Sequence, residues 1–377
     1  MLNLFLLLFI GLLGFYYWFI KKIRTGLSKL DYYKTRYGGE EFISVVIPYR
    51  NETENIVDNL KSLESQSFPE NKYEVIYVDD FSEDDSAIKL RNAVTKKNVK
   101  LYSVKNSGLK KAHKKHAIEY ALTKAKGSII LFTDADCIVP PDWISAMVAG
   151  FEENTALISG PVKFKSSETL FDKLQALEFA GLILAGAGLI ANKTPMIASS
   201  ANLAFRKKVF DEVGGYRNLM NLSSGDDELL MQKIAYDTDY EVKFCFDSDA
   251  VVVTKPNDSV GEFSQQRKRW ASKGFYYQNK RIIFQLVFIF FFYLGLIIQP
   301  ILGVFWSPKF LSVLAVSFSV KIIIEYSVLK KGEGIVLDKI YFPLFLLAEI
   351  LHIPYIIYAS ISGLFGNFSW KGRELER

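Results

Sequence analysis

Ser128-Ile129-Ile130-Leu131-Phe132-Thr133-Asp134-Ala135-Asp136-Cys137 is the stretch whose reading decides the fold. Lys126-Gly127 precedes a short, partly β-branched apolar run, which reads as a buried strand. The strand delivers two carboxylates, one residue apart, to its C-terminal end, and in open α/β sheets that end is where ligands bind. Carboxylate oxygens so placed can share a hard divalent cation, which prefers carboxylates and phosphate oxygens. Ile138-Val139-Pro140-Pro141-Asp142-Trp143 then turns the chain away. An isolated Asp-x-Asp is most often a solvated acidic turn, so the surrounding sequence has to decide its role.

Working outward, strands and helices alternate. Phe42-Ile43-Ser44-Val45-Val46-Ile47-Pro48 predicts a buried strand ended by proline, and Asn51-Glu52-Thr53-Glu54 predicts the cap of a helix with Ile56, Leu60 and Leu63 on one face. Tyr73 to Val78 predicts a second strand, running into Asp79-Asp80-Phe81-Ser82. Ser86 to Val94 predicts a helix, Val99 to Tyr102 a strand, and Lys114-Lys115-His116-Ala117-Ile118 the opening of a helix that leads to the Asp134 strand. The expected fold is therefore α/β: a Rossmann-like, doubly wound, mostly parallel sheet. Parallel strands put all their C-terminal ends on one side, which gathers Pro48, Asp80 and Asp134 at one edge. Further on, Ser199 to Phe205 reads as a small-residue strand or loop. Ser223-Ser224-Gly225-Asp226-Asp227-Glu228 reads as an acidic helix start with a serine cap, its negative residues at the positive end of the dipole.

The two ends of the chain are apolar. Leu2 to Ile20 has membrane-spanning length and is followed by Lys21, Lys22 and Arg24, which predicts an uncleaved anchor with its C-terminal end cytoplasmic. Ile282 to Trp306 and Phe310 to Leu329 predict two more spans. In the second, Lys321 and Glu325 sit four apart on one face and can pair. Tyr341 to Phe365, interrupted by Pro343 and Pro354 and carrying Glu349 and His352, reads as a third span or a re-entrant segment. Re-entry is preferred because the basic tail with Lys371, Arg373 and Arg377 favours the inside. Glu349 and His352 either line a lipid or glycan path or satisfy each other or a backbone group. Leu170 to Ile190 is amphipathic and then nearly apolar, and reads as a buried or interfacial helix. The units expected are thus a transmembrane helix over 1–21, a soluble domain over 38–281 and a membrane region over 282–366.

Composition narrows the function. Two cysteines among 377 residues argue against a disulfide framework, and three histidines without ligand spacing argue against zinc. A net charge of +5, with the basic residues beside apolar segments, points to anionic lipid or phosphate as partners and not to nucleic acid. There is no phosphate loop of the Gly-x-x-x-x-Gly-Lys-Ser/Thr type.

Several motifs occur in order. Val46-Ile47-Pro48-Tyr49-Arg50-Asn51-Glu52, Val78-Asp79-Asp80-Phe81-Ser82, Lys114-Lys115-His116-Ala117, Asp134-Ala135-Asp136, Gly225-Asp226-Asp227 and Gln266-Arg267-Lys268-Arg269-Trp270 lie between membrane segments. With them the chain resembles membrane-bound inverting glycosyltransferases of family 2, which have the GT-A fold with terminal membrane helices.

The resemblance implies transfer of a sugar from a nucleotide-diphosphate sugar, with UDP suggested by Asp80, to a lipid or growing glycan acceptor at a membrane. It implies donor contacts from Pro48, Tyr49, Arg50, Glu52, Asp80, Lys114, Asp134, Arg267 and Arg269, and acceptor contacts from Gln266 and Trp270. It implies Mg²⁺ or Mn²⁺ on Asp136 and Asp134, with Asp227 as base and Asp226 bonding backbone amides. A cytoplasmic catalytic domain on a bacterial inner membrane follows from it. On chemistry alone Lys114 could be a solvated helix start, Arg267 and Arg269 could face lipid, and Trp270 could be an interfacial belt residue. A polyprenyl-phosphate sugar synthase, a metal-dependent nucleotidyltransferase and a non-catalytic membrane scaffold are the other readings.

Overall fold

The computed structural model describes residues 2–30, 39–107, 113–220, 222, 225–277, 279–365, 368–370 and 373–375. The first helix is α1 (Leu2–Leu27). The soluble part then runs β1 (Ile43–Tyr49), α2 (Ile56–Glu64), β2 (Tyr73–Asp79), α3 (Ser86–Ala93), β3 (Val99–Ser103), α4 (Lys114–Lys124) and β4 (Ile129–Phe132). It continues through α5 (Trp143–Val148), β5 (Thr155–Ser159), β6 (Val162–Phe164), α6 (Leu170–Ala191), β7 (Leu203–Arg206) and α7 (Lys207–Glu212). α8 (Glu228–Asp237), β8 (Glu241–Phe244), β9 (Val252–Thr254) and α9 (Val260–Ala271) complete it. α10 (Lys280–Phe305), α11 (Lys309–Leu329) and α12 (Phe342–Phe365) follow, then the short strands β10 (Phe368–Trp370) and β11 (Arg373–Leu375).

Seven strands form one sheet in the order β3-β2-β1-β4-β7-β5-β8. β7 runs antiparallel to both neighbours, and the other pairs are parallel. β1, β2 and β4 are buried along their whole length, as strands covered on both faces must be, which is why they read as unbroken apolar runs. α2 buries Ile56, Leu60 and Leu63 completely. Each such side chain stabilises the layer by about 1.5–3 kcal/mol.

The strand order reverses between β1 and β4, and this is where a crevice opens. β4 pairs with β1 only from Ile43 to Val46, so β1 outruns it toward Tyr49. Pro48 sits in a central strand, where its missing N–H would normally break a ladder bond. It is tolerated because β4 has already ended on that side. The predicted Asn51–Glu54 cap takes a different form. α2 has no side-chain cap, and the loop before it is tied instead to the next one: Asn51 N–H donates to Ser82 Oγ (3.1 Å), Glu52 N–H to Ser86 Oγ (2.7 Å) and Thr53 N–H to Asp84 Oδ2 (3.1 Å).

Among the described residues, five helices are long and apolar enough to cross a membrane: α1, α6, α10, the segment from α11 to Gly332, and α12. α6 is the most enclosed of them, with about half of its apolar window buried, in keeping with the reading of a buried helix. It meets α1 backbone to backbone. A Cβ on Gly188 would stand 2.3 Å from the Ile23 carbonyl oxygen, and one on Gly26 would stand 1.9 Å from that of Gly188. Small residues permit such close helix contact.

Neither proline breaks the last helix. Pro343 lies in the first turn of α12 and Pro354 lies inside a continuous helix of 24 residues. The basic residues Lys371 and Arg377 of the tail, on which the preference for re-entry rested, lie outside the described residues. Lys321 pairs with Glu325 at 3.1 Å and also with Glu349. His352 Nδ1 lies 3.3 Å from Tyr293 Oη, so Glu349 and His352 are satisfied by other partners. Cys137 and Cys245 are both buried and free, as expected.

Candidate active site

The C-terminal ends of β1, β2 and β4 meet at the crevice. The register aligns Tyr49 with Asp79, so the next residues, Arg50 and Asp80, leave the sheet side by side. Asp80 N–H donates to the Tyr49 carbonyl (2.8 Å), and Asp80 Oδ1 accepts from the His113 amide (2.9 Å). The turn is tight enough that Asn51 and Phe81 adopt left-handed backbone angles (φ 51° and 60°), which non-glycine residues rarely do away from functional loops. Arg50 holds this turn together by donating to the carbonyls of Asp80 (3.2 Å) and Phe81 and to Glu83 Oε1 (2.8 Å).

A cavity of about 670 Å³ begins here. Pro48, Tyr49, Arg50, Glu52 and Asp80 line it from the first two strands, Lys114 from α4, and Asp134 and Asp136 from the end of β4. Asp226 and Asp227 line it ahead of α8, and Gln266, Arg269 and Trp270 from α9. Thirteen side chains from six separate parts of the chain thus face one space.

Lys114 is more than a solvated helix start. Its Nζ lies 2.9 Å from Asp134 Oδ1 and 3.1 Å from Asp226 Oδ2, and it donates to Ser200 Oγ at 2.7 Å. Burial would lower the ammonium pKa, but Asp134 and Asp226 outweigh it and hold the charge above the usual lysine value. Burial would likewise raise the Asp226 carboxyl, yet Lys114 and Lys115 hold it well below the usual carboxylate range. Lys114 is thus clamped between the two acidic motifs while still lining the cavity.

The helix start at α8 also differs from expectation. Asp227, and not a serine, caps α8: Oδ1 accepts from the Glu228 amide at 2.7 Å and Oδ2 from the Ser200 amide at 3.1 Å. Ser223 and Ser224 lie outside the described residues. Asp226 was expected to bond backbone amides and pairs with Lys114 instead; the amides go to Asp227. Gly225, at φ 86°, supplies the bend that presents both carboxylates. Lys273 backs the pair, 3.7 Å from Asp227 Oδ1 and 2.8 Å from Glu228 Oε2. Sequence reasoning missed Ser200, Lys273 and Glu228. Lys273 follows the Gln-x-x-Arg-Trp motif by one helical turn, and that spacing was the available signal.

Arg269 and Arg267 part company. Arg269 lines the cavity, where burial lowers its guanidinium below the usual arginine value although Asp226, Asp227 and Asp134 oppose this. Arg267 does not line it. At 3% exposure it forms a paired contact with Glu178 (Nε to Oε1, 3.0 Å), and its guanidinium lies 4.4 Å from the Phe263 ring and 4.2 Å from the Trp270 ring. Tyr355 donates to the same Glu178 oxygen at 3.0 Å. The expected donor contact is therefore replaced by a bridge joining α9, α6 and α12. Gln266 accepts from Asn257 Nδ2 at 3.1 Å and from Arg267.

Asp134 and Asp136 offer oxygen donors of the kind Mg²⁺ or Mn²⁺ prefers. Among the described residues no three His, Cys, Asp or Glu side chains form a metal-holding group. Two carboxylates with the remaining positions left to substrate phosphate and water is the arrangement by which magnesium usually binds nucleotides, so the residues fit such an ion.

The sheet order, with one antiparallel strand near its far edge and acids at the strand ends, defines a GT-A domain. Residues 44–214 match the model of Glycosyl transferase family 2. It is 24% identical over 272 residues to the poly-beta-1,6-N-acetyl-D-glucosamine synthase of Staphylococcus epidermidis, covering 69% of this chain and 60% of that protein. It is 27% identical over 244 residues to glycosyltransferase AglE of Haloferax volcanii, covering 60% of this chain and 71% of that one. The chain thus spans less than two thirds of the synthase. The structure of mannosyltransferase PcManGT from Pyrobaculum calidifontis, in complex with GDP-Man and Mn²⁺, superposes over 95% of this chain and 96% of that one (TM-score 0.58, 21% identity), so the two share a fold.

Proposed function

We propose that this chain is an inverting glycosyltransferase that moves a sugar from a nucleoside-diphosphate sugar to a lipid or glycan acceptor at a membrane. The observation that carries the reading is the meeting of Asp134 and Asp136 with Asp226, Asp227 and Arg269 in one cavity at the sheet's switch point.

Asp80 and the Tyr49–Arg50 turn form the base end of the donor site, and Arg269 adds positive charge beside the acids. Asp134 and Asp136 would hold Mg²⁺ or Mn²⁺, which neutralises diphosphate charge as the nucleotide leaves. Asp227 serves as base. Its two amide bonds orient the carboxylate, and each oxygen retains a further lone pair for a hydroxyl proton. The acceptor oxygen forms the new bond to the anomeric carbon as the bond to diphosphate breaks, and its proton passes to Asp227. The flanking Lys21, Lys22, Arg24, Lys280 and Arg281 favour a cytoplasmic position for the soluble domain, on a bacterial inner membrane.

The test offers the purified full chain a panel of radiolabelled UDP- and GDP-sugars with total membrane lipid and Mn²⁺, and sizes the product. Labelled product that disappears in Asp136→Ala is expected. Undiminished transfer in chelator would overturn the metal role, and release of pyrophosphate instead of nucleoside diphosphate would overturn the reaction class. A sugar joined directly to polyprenyl phosphate would identify the synthase instead.

A further inference from the structure

The cavity has a second half that the chemistry above does not use. Beyond the acids its wall is built by Leu182 and Ile183 of α6, Ile283, Leu286 and Val287 of α10, and Ile356 of α12. Adjacent residues of α9 mark the change of character. Arg269 is held by the electrostatic influence of Asp226, Asp227 and Asp134, while the Trp270 ring packs on Phe179 of α6, with centroids 6.2 Å apart. The apolar half is also open to the side. Val287 lines the cavity and is 43% exposed, next to Phe284, Phe288 and Phe291, which are exposed on the outside of α10. α10 and α12 both have membrane-spanning length, so in a bilayer that they cross this opening would face hydrocarbon.

Resting on the glycosyltransferase reading, we infer that the acceptor is a membrane lipid whose hydrocarbon chain lies between α6, α10 and α12, with its hydroxyl-bearing end at Asp227. A glycan threaded here would set hydroxyl groups against isoleucine, leucine and valine. Each unpaired hydroxyl carries a desolvation cost that nothing on this wall offsets, since Ser360 is the one polar side chain that α10 and α12 give to it. A hydrocarbon chain has no such cost. Leaving a bilayer for an apolar cleft is close to neutral for it, so the wall admits the chain and the polar end supplies the selectivity.

The experiment photolabels the full chain in liposomes with an octadecyl glucoside that carries a diazirine at mid-chain, followed by peptide mapping. Labelling is expected at Leu182–Ile183 as well as on the lipid-facing side of α10. In Leu286→Trp, which fills the cleft, the α6 labelling should be lost while the outer labelling at Phe284, Phe288 and Phe291 persists. Nucleoside-diphosphate binding, measured by calorimetry on the same samples, reports that the variant is folded. Labelling confined to the outer faces overturns the lipid site while leaving the glycosyltransferase reading standing. So does suppression of the α6 label by a soluble N-acetylglucosamine oligomer, which would make the cleft a glycan path. Labelling of α6 in a chain that binds no nucleoside diphosphate overturns the acceptor role together with the reading it rests on.

Discussion

Asp227 accepts the Glu228 and Ser200 amides while Asp226, its neighbour, faces Lys114, so the two acids respond differently to loss of charge. Asparagine caps helices as well as aspartate does, but it keeps one acceptor oxygen for the two amides. Asp227→Asn should therefore lose a little melting temperature, keep its nucleotide affinity and lower turnover by a factor on the order of a hundred or more. Asp226→Asn removes one partner of a buried ion pair, for which losses of about 3–5 kcal/mol are an upper bound because Lys114 keeps Asp134. Turnover and thermal unfolding of both variants, side by side, separate the two roles; a dead, stable Asp226→Asn with an active Asp227→Asn would reassign the base. The pH dependence follows the same residues. Burial, then Lys115 and His116, pushes His113 down to about 4. The unfolded chain takes up this proton near pH ~6.5, so the contribution is fully present above that value and is lost as pH falls toward about 4. The low Asp226 carboxyl acts in the same direction below the ordinary carboxylate range. Stability followed across this window should lose part of its slope between pH ~4 and pH ~6.5 in His113→Asn, with the acid limb unchanged.

α9 is the element through which the membrane helices reach the site. One of its faces supplies Gln266, Arg269 and Trp270 to the cavity, while Arg267 turns toward Glu178 on α6 and Tyr355 on α12. The Arg267 guanidinium covers one face of Trp270 and Phe179 packs against the ring, so both fix how Trp270 is presented to the cavity. Trp270→Ala should abolish transfer while slow donor hydrolysis continues, since the acids are untouched. Arg267→Gln should raise the acceptor KM through a loosened Trp270 and leave hydrolysis near wild type. Tyr355→Phe, which removes only the outer hydrogen bond, should be mild. Equal loss of transfer and hydrolysis in Trp270→Ala would make α9 a purely structural strut. The leucine face of α2 works at the same scale without chemistry: Leu60→Ala should cost about 2–5 kcal/mol wherever unfolding is measured.

Across the whole molecule, a polar knot ties the membrane helices together. Lys321 of α11 is fully buried and meets Glu325 on its own helix and Glu349 on α12. Tyr16 of α1 donates to Glu325, and Tyr293 of α10 lies 3.3 Å from both Tyr16 Oη and His352 Nδ1. Removing the cation leaves two carboxylates without it in an apolar bundle, and breaking a buried pair this way costs about 3–5 kcal/mol. Lys321→Met should lower the melting temperature of detergent-purified protein sharply. Replacing all three charges, with Glu325→Leu and Glu349→Leu added, should recover most of that loss. Failure of the triple variant to recover would show that the knot does more than satisfy its own charges.

The order of elements was legible in the sequence because each depends on local pattern. The runs 43–48, 73–78 and 129–132 are apolar at strand length, and Ile56, Leu60 and Leu63 recur at helical spacing. The ordered motifs likewise named most of the residues that line the cavity, since parallel strands must deliver their ends to one edge. Partners across long sequence gaps were not legible. Nothing near Lys114 indicates that its ammonium will sit between Asp134 and Asp226, and nothing near Arg267 indicates Glu178, 89 residues away. Alternation of charge along α9 could not say which arginine faces the acids, because a turn of about 100° per residue matters only once a neighbouring helix fixes the reference direction. The apolar half of the cavity is the extreme case. Its leucines and isoleucines read in sequence as ordinary membrane helix, and only the packing of α6, α10 and α12 around a gap makes them a wall.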